Sequence, residues 1–300
     1  MSKLIPLSDA ISQFVHDGDT VYAAGFTHLI PFAAGHEIIR QRRRDLVLAR
    51  ATPDLIYDQM VAAGCARKVI FSYMGNPGVG SLRIVRTAIE KGELEWEEYS
   101  HFGMISRLQA GAAGLPFMPM NQTAATDLER ANPLIRRVLD PYSGQEVITV
   151  PALNPDVAIV HVQRVDSNGN AHLWGIIGEQ KESAFAAKHL ILTAEEIVDE
   201  SVIRSDPNRT LIPGFIVSAV CHVPYASHPS YAQGYYDRDN DFYLKWDKIS
   251  ESTEATKSYL DEWVFGVHDR AEYWQKLGPE THTRLEVRPR LSEPVNYGEY

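Results

Sequence analysis

The sequence is poor in cysteine and has no excess of basic residues. Cys65 and Cys221 are its two cysteines in 300 residues, and neither belongs to the Cys-x-x-Cys spacing of zinc ribbons and redox pairs. Because the sequence shows no secretory signal, we favour two buried free thiols over a single disulfide. Lys and Arg total 29 against 39 Asp and Glu, a formal net charge of -10. A general nucleic-acid binder would need a basic face instead, so we expect no nucleic-acid partner.

Long apolar runs are also missing. No window approaches the roughly 20 apolar residues of a membrane span, and residues 1–6 hold no apolar stretch of the length that an export signal needs. We therefore expect a soluble, cytoplasmic protein that does not enter membranes. Hydrophobic residues still make up 44% of the chain, which at this length suffices for one large core or two close lobes.

Several common catalytic motifs are absent from the sequence. It has no Gly-x-Gly-x-x-Gly after a strand, no P-loop, no His-Glu-x-x-His and no Gly-x-Ser-x-Gly. Nicotinamide, ATP, zinc-protease and serine-esterase chemistry therefore have no local support. Five histidines show no metal-ligand spacing, which predicts structural histidines and no metal site; they are His28, His161, His172, His222 and His228.

Short apolar runs alternate with amphipathic stretches over about the first two hundred residues. Residues 20–24, 46–49 and 68–72 are predicted strands, and residues 33–42 and 81–91 are predicted helices. This alternation predicts an α/β fold with an open, mostly parallel sheet wrapped by helices. Sheets of this kind bind ligands in the crevice at the carboxyl ends of their strands.

The last eighty residues differ in composition from the alternating part. Their aromatic residues predict a segment that wraps on the sheet or packs on a partner subunit; they are Tyr225, Tyr231, Tyr235, Tyr236, Phe242, Tyr243 and Trp246. We divide the chain into a main domain over residues 1–246 and a helical or extended C-terminal extension over residues 247–300.

The segment Gly-Phe-Thr-His-Leu-Ile-Pro at residues 25–31 lies between a predicted strand and a predicted helix. A glycine there lets the backbone approach a ligand closely, and the following helix N-terminus offers free amides to an anion or a developing oxyanion. A tight turn without any ligand fits the same pattern equally well.

Three further segments carry candidate chemistry. The glycine-rich residues 75–80 fit an anion or pantetheine cradle, although the segment alone favours a flexible connection. His101 follows a predicted strand and precedes a helix, where it can donate a hydrogen bond to a carbonyl oxygen; a lone histidine is more often a capping or buried structural group. Thr52-Pro53-Asp54 predicts a helix start with Thr52 as the cap.

Taken in order, these and other segments resemble the alpha subunits of family I CoA transferases. Each motif is weak alone, but the set is specific and covers about residues 7–246. The matching segments are Gly-Phe-Thr-His-Leu-Ile-Pro at 25–31, Thr-Pro-Asp-Leu at 52–55, Ala-Gly-Cys-Ala-Arg-Lys at 63–68, Gly-Asn-Pro-Gly-Val-Gly-Ser at 75–81, Ala-Gly-Ala-Ala-Gly-Leu-Pro-Phe at 110–117, Pro-Ala-Leu-Asn-Pro-Asp-Val at 151–157, Glu-Glu-Ile-Val-Asp-Glu at 195–200, Ser-Ala-Val-Cys-His-Val-Pro at 218–224 and Ser-Tyr-Ala-Gln-Gly-Tyr-Tyr at 230–236.

The resemblance implies the open α/β fold shared with ribose-5-phosphate isomerase and an α2β2 or larger assembly with a separate beta (B) subunit. It implies coenzyme A as a substrate and no other cofactor. CoA would pass from an acyl-CoA, such as succinyl-CoA or acetyl-CoA, to a dicarboxylate such as 3-oxoadipate or glutaconate. The reaction is ping-pong, through a glutamyl-CoA thioester. In two-subunit members the nucleophilic glutamate lies in the B subunit beside Asn-Gly or Gly-Gly; this sequence contains neither Glu-Asn-Gly nor Glu-Gly.

The resemblance also implies roles for individual residues. The backbone amides of Gly25 and Phe26 would face the reacting carbonyl, and His101 would donate a hydrogen bond at the acyl site. The residues expected to line the substrate or CoA pocket are Thr27, His28, Thr52, Asn76 and Gly78. The candidate cations for a distal carboxylate are Arg50, Arg107 and Lys181.

Three other functions fit the same features. Related α/β pairs hydrolyse a carbon–carbon bond of a cyclic acyl-CoA, and we rank that function lower because those proteins are expected to carry acidic residues where this chain has His101-Phe102. A CoA-ester hydrolase differs from a transferase in how well water enters the closed site. A non-catalytic acyl-CoA or sugar-phosphate binding module predicts a stable free monomer without a partner gene.

Overall fold

The structure is a computed structural model that describes residues 3–76, 80–120 and 126–287. The strands are β1 (Thr20–Ala23), β2 (Leu46–Ala49), β3 (Ala66–Phe71), β4 (Glu95–Glu98), β5 (Phe117–Met120), β6 (Arg136–Leu139), β7 (Glu146–Pro151), β8 (Val157–Val165), β9 (Ala171–His172), β10 (His189–Ile197), β11 (Thr210–Ile212) and β12 (Ala219–His222). The α-helices are α1 (Leu7–Phe14), α2 (Phe32–Arg40), α3 (Leu55–Ala62), α4 (Arg83–Glu90), α5 (His101–Ala112), α6 (Leu128–Ala131), α7 (Gln180–Ala186), α8 (Glu200–Ser205), α9 (Asn240–Ile249), α10 (Thr253–Leu260) and α11 (Arg270–Arg284).

The main sheet is open and mostly parallel, which confirms the predicted fold class. Seven strands pair in parallel in the order β12-β10-β8-β1-β2-β3-β4, while β9 and β11 add antiparallel pairs at the end of β8. The chain runs outward from β1 to β4 and then returns to β8 on the other side of β1. The strand order therefore reverses at β1, and such a switch point opens a crevice at the carboxyl ends of the strands.

The residues of each strand alternate between two hydrophobic layers. In β1, Val21 and Ala23 pack in the layer with α2, α3 and α10, whereas Tyr22 packs in the layer with α5 and α7. This period-two pattern places both faces of the sheet in the core, as expected for parallel strands covered by helices. This packing on both faces holds the strands in place, and with them the loops that follow their carboxyl ends.

A second, smaller sheet was not predicted. Antiparallel β5, β7 and β6 pair in that order. Every residue of β6 is exposed, so this strand lacks the apolar alternation that signals a strand. Strands β8 and β9 form an antiparallel hairpin around the turn at residues 166–170.

Side-chain caps mark the first residues of α3 and α5. Asp54, not Thr52, caps α3, because its carboxylate accepts from the Leu55 amide at 2.7 Å; the prediction for Thr52 as the cap is wrong. Ser100 caps α5 by accepting from the Gly103 amide at 3.0 Å. The cap makes His101 the first residue of that helix.

The aromatic C-terminal segment packs on the chain's own core. Tyr243 and Trp246 of α9 are fully buried in the same layer as α2 and α3, and Trp246 donates from Nε1 to Asp58. The boundary predicted at residue 246 falls inside α9, and the division into two domains stays a prediction. Residues 288–300 of the predicted extension lie outside the described residues.

The two cysteines are free and buried. Burial raises the pKa of each thiol to about 12, so both remain protonated and unreactive near neutral pH. Across the described ranges, the helices are all too short or too polar to span a bilayer.

Asp58 is a buried carboxyl that joins α3 to α4 and α9. It accepts from the Val85 amide at 3.0 Å and from Trp246 Nε1 at 3.1 Å. Burial outweighs these bonds and raises the pKa of Asp58 to about 6. The folded chain thus binds this proton more tightly than the unfolded chain does, so the contribution is fully present below about pH 4 and is lost as the pH rises through about 6.

We predict that Asp58→Asn makes the stability of the chain less dependent on pH. The free energy of unfolding of the unsubstituted protein, relative to that of the variant, should fall by about 2 kcal/mol between pH 4 and pH 7. Urea unfolding of both proteins at a series of pH values measures this difference. A difference that stays constant, or that grows with pH, would contradict the assignment.

Candidate active site

Four parallel strands deliver side chains to one edge of the sheet. Gly25 follows β1, Arg50 follows β2, Ser72 follows β3, and His101 opens α5 shortly after β4. Because the carboxyl ends of parallel strands share one edge, these residues converge on the crevice at the switch point. This convergence defines the candidate active site.

The Gly25 turn requires glycine. Its φ is +127°, and a Cβ at this position would lie 2.8 Å from the His28 carbonyl oxygen and 2.9 Å from that of Leu29. The Phe26 amide donates to the His28 carbonyl oxygen at 3.2 Å. Of the two predicted oxyanion donors, the Phe26 amide is therefore engaged within the turn itself.

Arg50 supports this turn from below. Its side chain is 1% exposed, and Nη2 donates to the Gly25 carbonyl oxygen at 2.6 Å. Its Nε and Nη1 have no hydrogen-bond partner among the described residues. A guanidinium bound to a backbone carbonyl fixes the orientation of the Gly25–Phe26 peptide.

A buried acid lies beside Arg50. Glu179 is 1% exposed and accepts from the Tyr22 hydroxyl at 3.0 Å, and the Tyr22 oxygen accepts from the Ala51 amide at 3.2 Å. Burial raises the pKa of Glu179, and the positive charge of Arg50 opposes that shift. Glu179 and Tyr22 thus tie the start of α7 to the ends of β1 and β2.

His101 and Phe26 meet across the crevice. Their ring centroids lie 5.8 Å apart with the planes at 71°, an edge-to-face contact. The His101 side chain is exposed, and its Nδ1 lies 2.9 Å from Ser72 Oγ. On the other side of Phe26, a Cβ at Gly178 would lie 2.6 Å from Phe26 Cβ, so Gly178 makes room for the phenylalanine.

Thr27 and His28 anchor the turn to the C-terminal segment. His28 is fully buried; its Nε2 accepts from the Gln233 amide at 3.0 Å and its Nδ1 lies 3.0 Å from the Ile176 carbonyl oxygen. Since an amide can only donate, Nδ1 carries the ring proton. Burial lowers the pKa of His28 to about 4. The Thr27 carbonyl oxygen accepts from Ser230 Oγ at 2.7 Å.

These bonds use both ring nitrogens of His28, so the structure gives His28 a supporting role in the turn rather than a place on the pocket wall. Thr52 is partly exposed, two residues beyond Arg50 at the edge of the crevice. Asn76 is 5% exposed, and its backbone amide donates to the Gly80 carbonyl oxygen at 2.9 Å. Gly78 lies outside the described residues.

The candidate cations are placed differently. Arg107 is buried and donates to the Pro151 carbonyl oxygen at 3.0 Å and to Glu97 at 3.3 Å, which commits it to the fold. Lys181 is exposed on α7, where it lines a shallow groove against α5. Arg50 alone of the three lies under the crevice.

Sequence reasoning missed Ser72, Glu179 and Tyr22. Ser72 is the first polar residue after an apolar strand, the same signal that marks Arg50. Tyr22 occupies an alternating strand position and cannot be told from a core residue by pattern. The sequence pattern places Glu179 at the start of a helix, and only the fold reveals that it is buried beside Arg50.

Comparison with known proteins places this site in a family. A family model described as coenzyme A transferase matches residues 5–222, and the chain belongs to this family. The chain is 50% identical to the A subunit of the 3-oxoadipate CoA-transferase of Pseudomonas knackmussii, over 92% of this chain and 99% of that protein.

Two further relatives widen the comparison. The A subunit of the glutaconate CoA-transferase of Acidaminococcus fermentans is 37% identical over 99% of this chain and 98% of its own length. The crystal structure of that organism's glutaconate CoA-transferase superposes with a TM-score of 0.91, at 35% identity and over 96% of both chains. One chain of the cholesterol ring-cleaving hydrolase of Rhodococcus jostii is 28% identical over 89% of this chain and 93% of its length.

We predict that His28→Ala destabilises the chain. The substitution leaves the Gln233 amide and the Ile176 carbonyl without partners in a buried place, which should lower the free energy of unfolding by about 2–4 kcal/mol. Urea unfolding measures the loss, with the exposed His16→Ala as a control expected to stay within about 0.5 kcal/mol. An unchanged stability together with a raised KM would instead indicate that His28 binds substrate.

Proposed function

We propose that this chain is the A subunit of a two-subunit CoA transferase and that it supplies one wall of the active site. The observation that carries the proposal is the convergence of the Gly25 turn, Phe26 and His101 at the switch point of the sheet. Its similarity to transferase A subunits over nearly the whole chain supports the same assignment. The B subunit would complete the site in an α2β2 or larger assembly.

In this proposal the nucleophile is a glutamate of the B subunit. It attacks the acyl-CoA to give an acyl-glutamyl anhydride and a CoA thiolate. The thiolate then attacks the glutamyl carbonyl of the anhydride, which gives a glutamyl-CoA thioester and releases the donor carboxylate. The acceptor carboxylate then attacks the glutamyl-CoA thioester, and the same two steps in reverse give the new acyl-CoA and the free glutamate. The absence of Glu-Asn-Gly and Glu-Gly from this chain is consistent with a nucleophile on the partner.

The A subunit would stabilise the oxyanion that forms at each carbonyl. The Gly25 turn, held by Arg50 at 2.6 Å, would present the Gly25 amide to the reacting carbonyl, and His101 would offer a ring nitrogen on the facing side. Preorganised donors of this kind act most strongly where water is excluded. Phe26 and the neighbouring apolar side chains would exclude water once the B subunit closes the site.

For the substrates we propose a dicarboxylate acceptor, 3-oxoadipate first and glutaconate second, with succinyl-CoA or acetyl-CoA as the donor. This order follows the identities of 50% and 37% to the relatives that carry those names. CoA serves as a substrate, and we propose no other cofactor. Of the three candidate cations, Arg50 lies nearest the crevice. We propose that the site for the distal carboxylate is complete only when both subunits are assembled.

The proposal predicts transfer activity only in the pair. The chain is to be co-expressed with the product of the adjacent reading frame and assayed with succinyl-CoA plus 3-oxoadipate and with acetyl-CoA plus glutaconate. Borohydride treatment in the presence of acyl-CoA should inactivate the enzyme and modify a glutamate of the partner. A chain that is stable without a partner and transfers no CoA would contradict the proposal and favour a non-catalytic binding module. Release of free CoA without an acceptor would indicate a hydrolase.

We predict that His101→Ala lowers kcat of the pair by about 10²–10³-fold with a smaller change in KM, because it removes one preorganised group at the oxyanion. Steady-state kinetics of the purified pair measure both constants. His268→Ala is the matched control, since the His268 side chain is 92% exposed and lies in the C-terminal part of the chain. An unchanged kcat in His101→Ala would remove His101 from the site.

A further inference from the structure

Ser72 connects His101 to the end of β2. Its backbone amide donates to the Ala51 carbonyl oxygen at 3.0 Å, and its Oγ donates to the same oxygen at 2.5 Å. The same Oγ lies 2.9 Å from His101 Nδ1. One serine hydroxyl thus contacts both a backbone acceptor and an imidazole nitrogen.

The direction of the second bond follows from counting protons. A serine hydroxyl has one proton, and a carbonyl oxygen has none to give. Since the Ser72 proton is donated to Ala51, Ser72 Oγ can only accept from His101. His101 Nδ1 therefore carries a proton, and in the neutral imidazole Nε2 carries none.

This tautomer decides what His101 offers to a substrate. Nδ1 is occupied by Ser72, so Nε2 is the ring nitrogen that remains available at the crevice. In the neutral ring Nε2 accepts a hydrogen bond, and it donates one only in the imidazolium form. Hydrogen-bond donation from Nε2 to an acyl oxygen therefore requires the imidazolium form of His101.

We infer that Ser72 is a positioning residue for CoA transfer: it fixes the tautomer and ring orientation of His101, so that Nε2 is the atom presented to the acyl group. Ser72 touches no reacting atom and acts through His101. The kinetic part of this inference depends on the proposed function, whereas the tautomer of His101 does not.

The backbone around Ser72 explains why the position is suited to this role. The Ala51 carbonyl oxygen also accepts from the Tyr73 amide at 3.2 Å, and the Ala51 amide donates to Tyr22. Arg50, one residue earlier, holds Gly25. The segment at the end of β2 therefore sets both walls of the crevice, Gly25 through Arg50 and His101 through Ser72.

The test compares Ser72→Thr with Ser72→Val. These two side chains have nearly the same shape and differ in the hydroxyl, so any loss of packing is common to both. Side-chain ¹⁵N spectra of histidine-labelled protein, with the His101 signals assigned by their loss in His101→Gln, report which ring nitrogen carries the proton. The Nδ1–H form is expected in the unsubstituted protein and in Ser72→Thr, and a shift toward the Nε2–H form or a mixture is expected in Ser72→Val.

The kinetic arm uses the assembled pair. Ser72→Val should lower kcat about tenfold with little change in KM, because one oriented hydrogen bond is lost. Ser72→Thr should retain most of the activity. In a His101→Gln background, Ser72→Val should add almost nothing, because the residue through which it acts is gone.

Two results would overturn the inference: an Nε2–H tautomer for His101 in the unsubstituted protein, or an equal effect of Ser72→Val with and without His101. If the unsubstituted pair transfers no CoA, the proposed function fails, and the ¹⁵N spectra still decide whether Ser72 sets the tautomer. The two failures are thus distinguishable.

Discussion

The bond from Arg50 to the Gly25 carbonyl oxygen is the contact on which the rest of the site depends. A guanidinium that is 1% exposed and lies 2.6 Å from a backbone oxygen fixes a turn that only glycine can adopt without strain. Burying that charge is costly unless it is balanced. The carboxyl of Glu179, which accepts from Tyr22 at 3.0 Å, lies close enough to Arg50 for the positive charge of Arg50 to oppose the rise in the pKa of Glu179 that burial causes.

The parallel sheet explains why these residues meet. Strands β1 to β4 lie side by side and point the same way, so the first residues after each strand share one edge, and the reversal of order at β1 opens a space above that edge. The two hydrophobic layers hold the strands firmly. A site built on strand ends keeps its geometry better than one built on long loops.

The fold class could be predicted from the sequence, because alternating apolar runs and amphipathic stretches leave few arrangements other than a parallel sheet between helices. Strand β6 was missed because it is exposed throughout and carries no periodic signal. The turn at Gly25 can be predicted from the sequence. Its contact with Arg50 cannot, because that contact depends on which strands are neighbours in the sheet. His28 lies in the most suggestive segment, yet Gln233 and Ile176, more than 140 positions away in the chain, bind both of its ring nitrogens.

Relatives of this chain include chains of CoA transferases and of a ring-cleaving hydrolase. The same fold therefore supports more than one reaction, and the residues of the site determine which reaction takes place. The most direct measurement is a crystal structure of the chain with its B subunit, trapped as the glutamyl-CoA thioester. Our account predicts that the thioester carbonyl oxygen lies within about 3 Å of the Gly25 amide or of His101 Nε2. A thioester bound away from the Gly25 turn, or a covalent adduct on this chain instead of the partner, would contradict it.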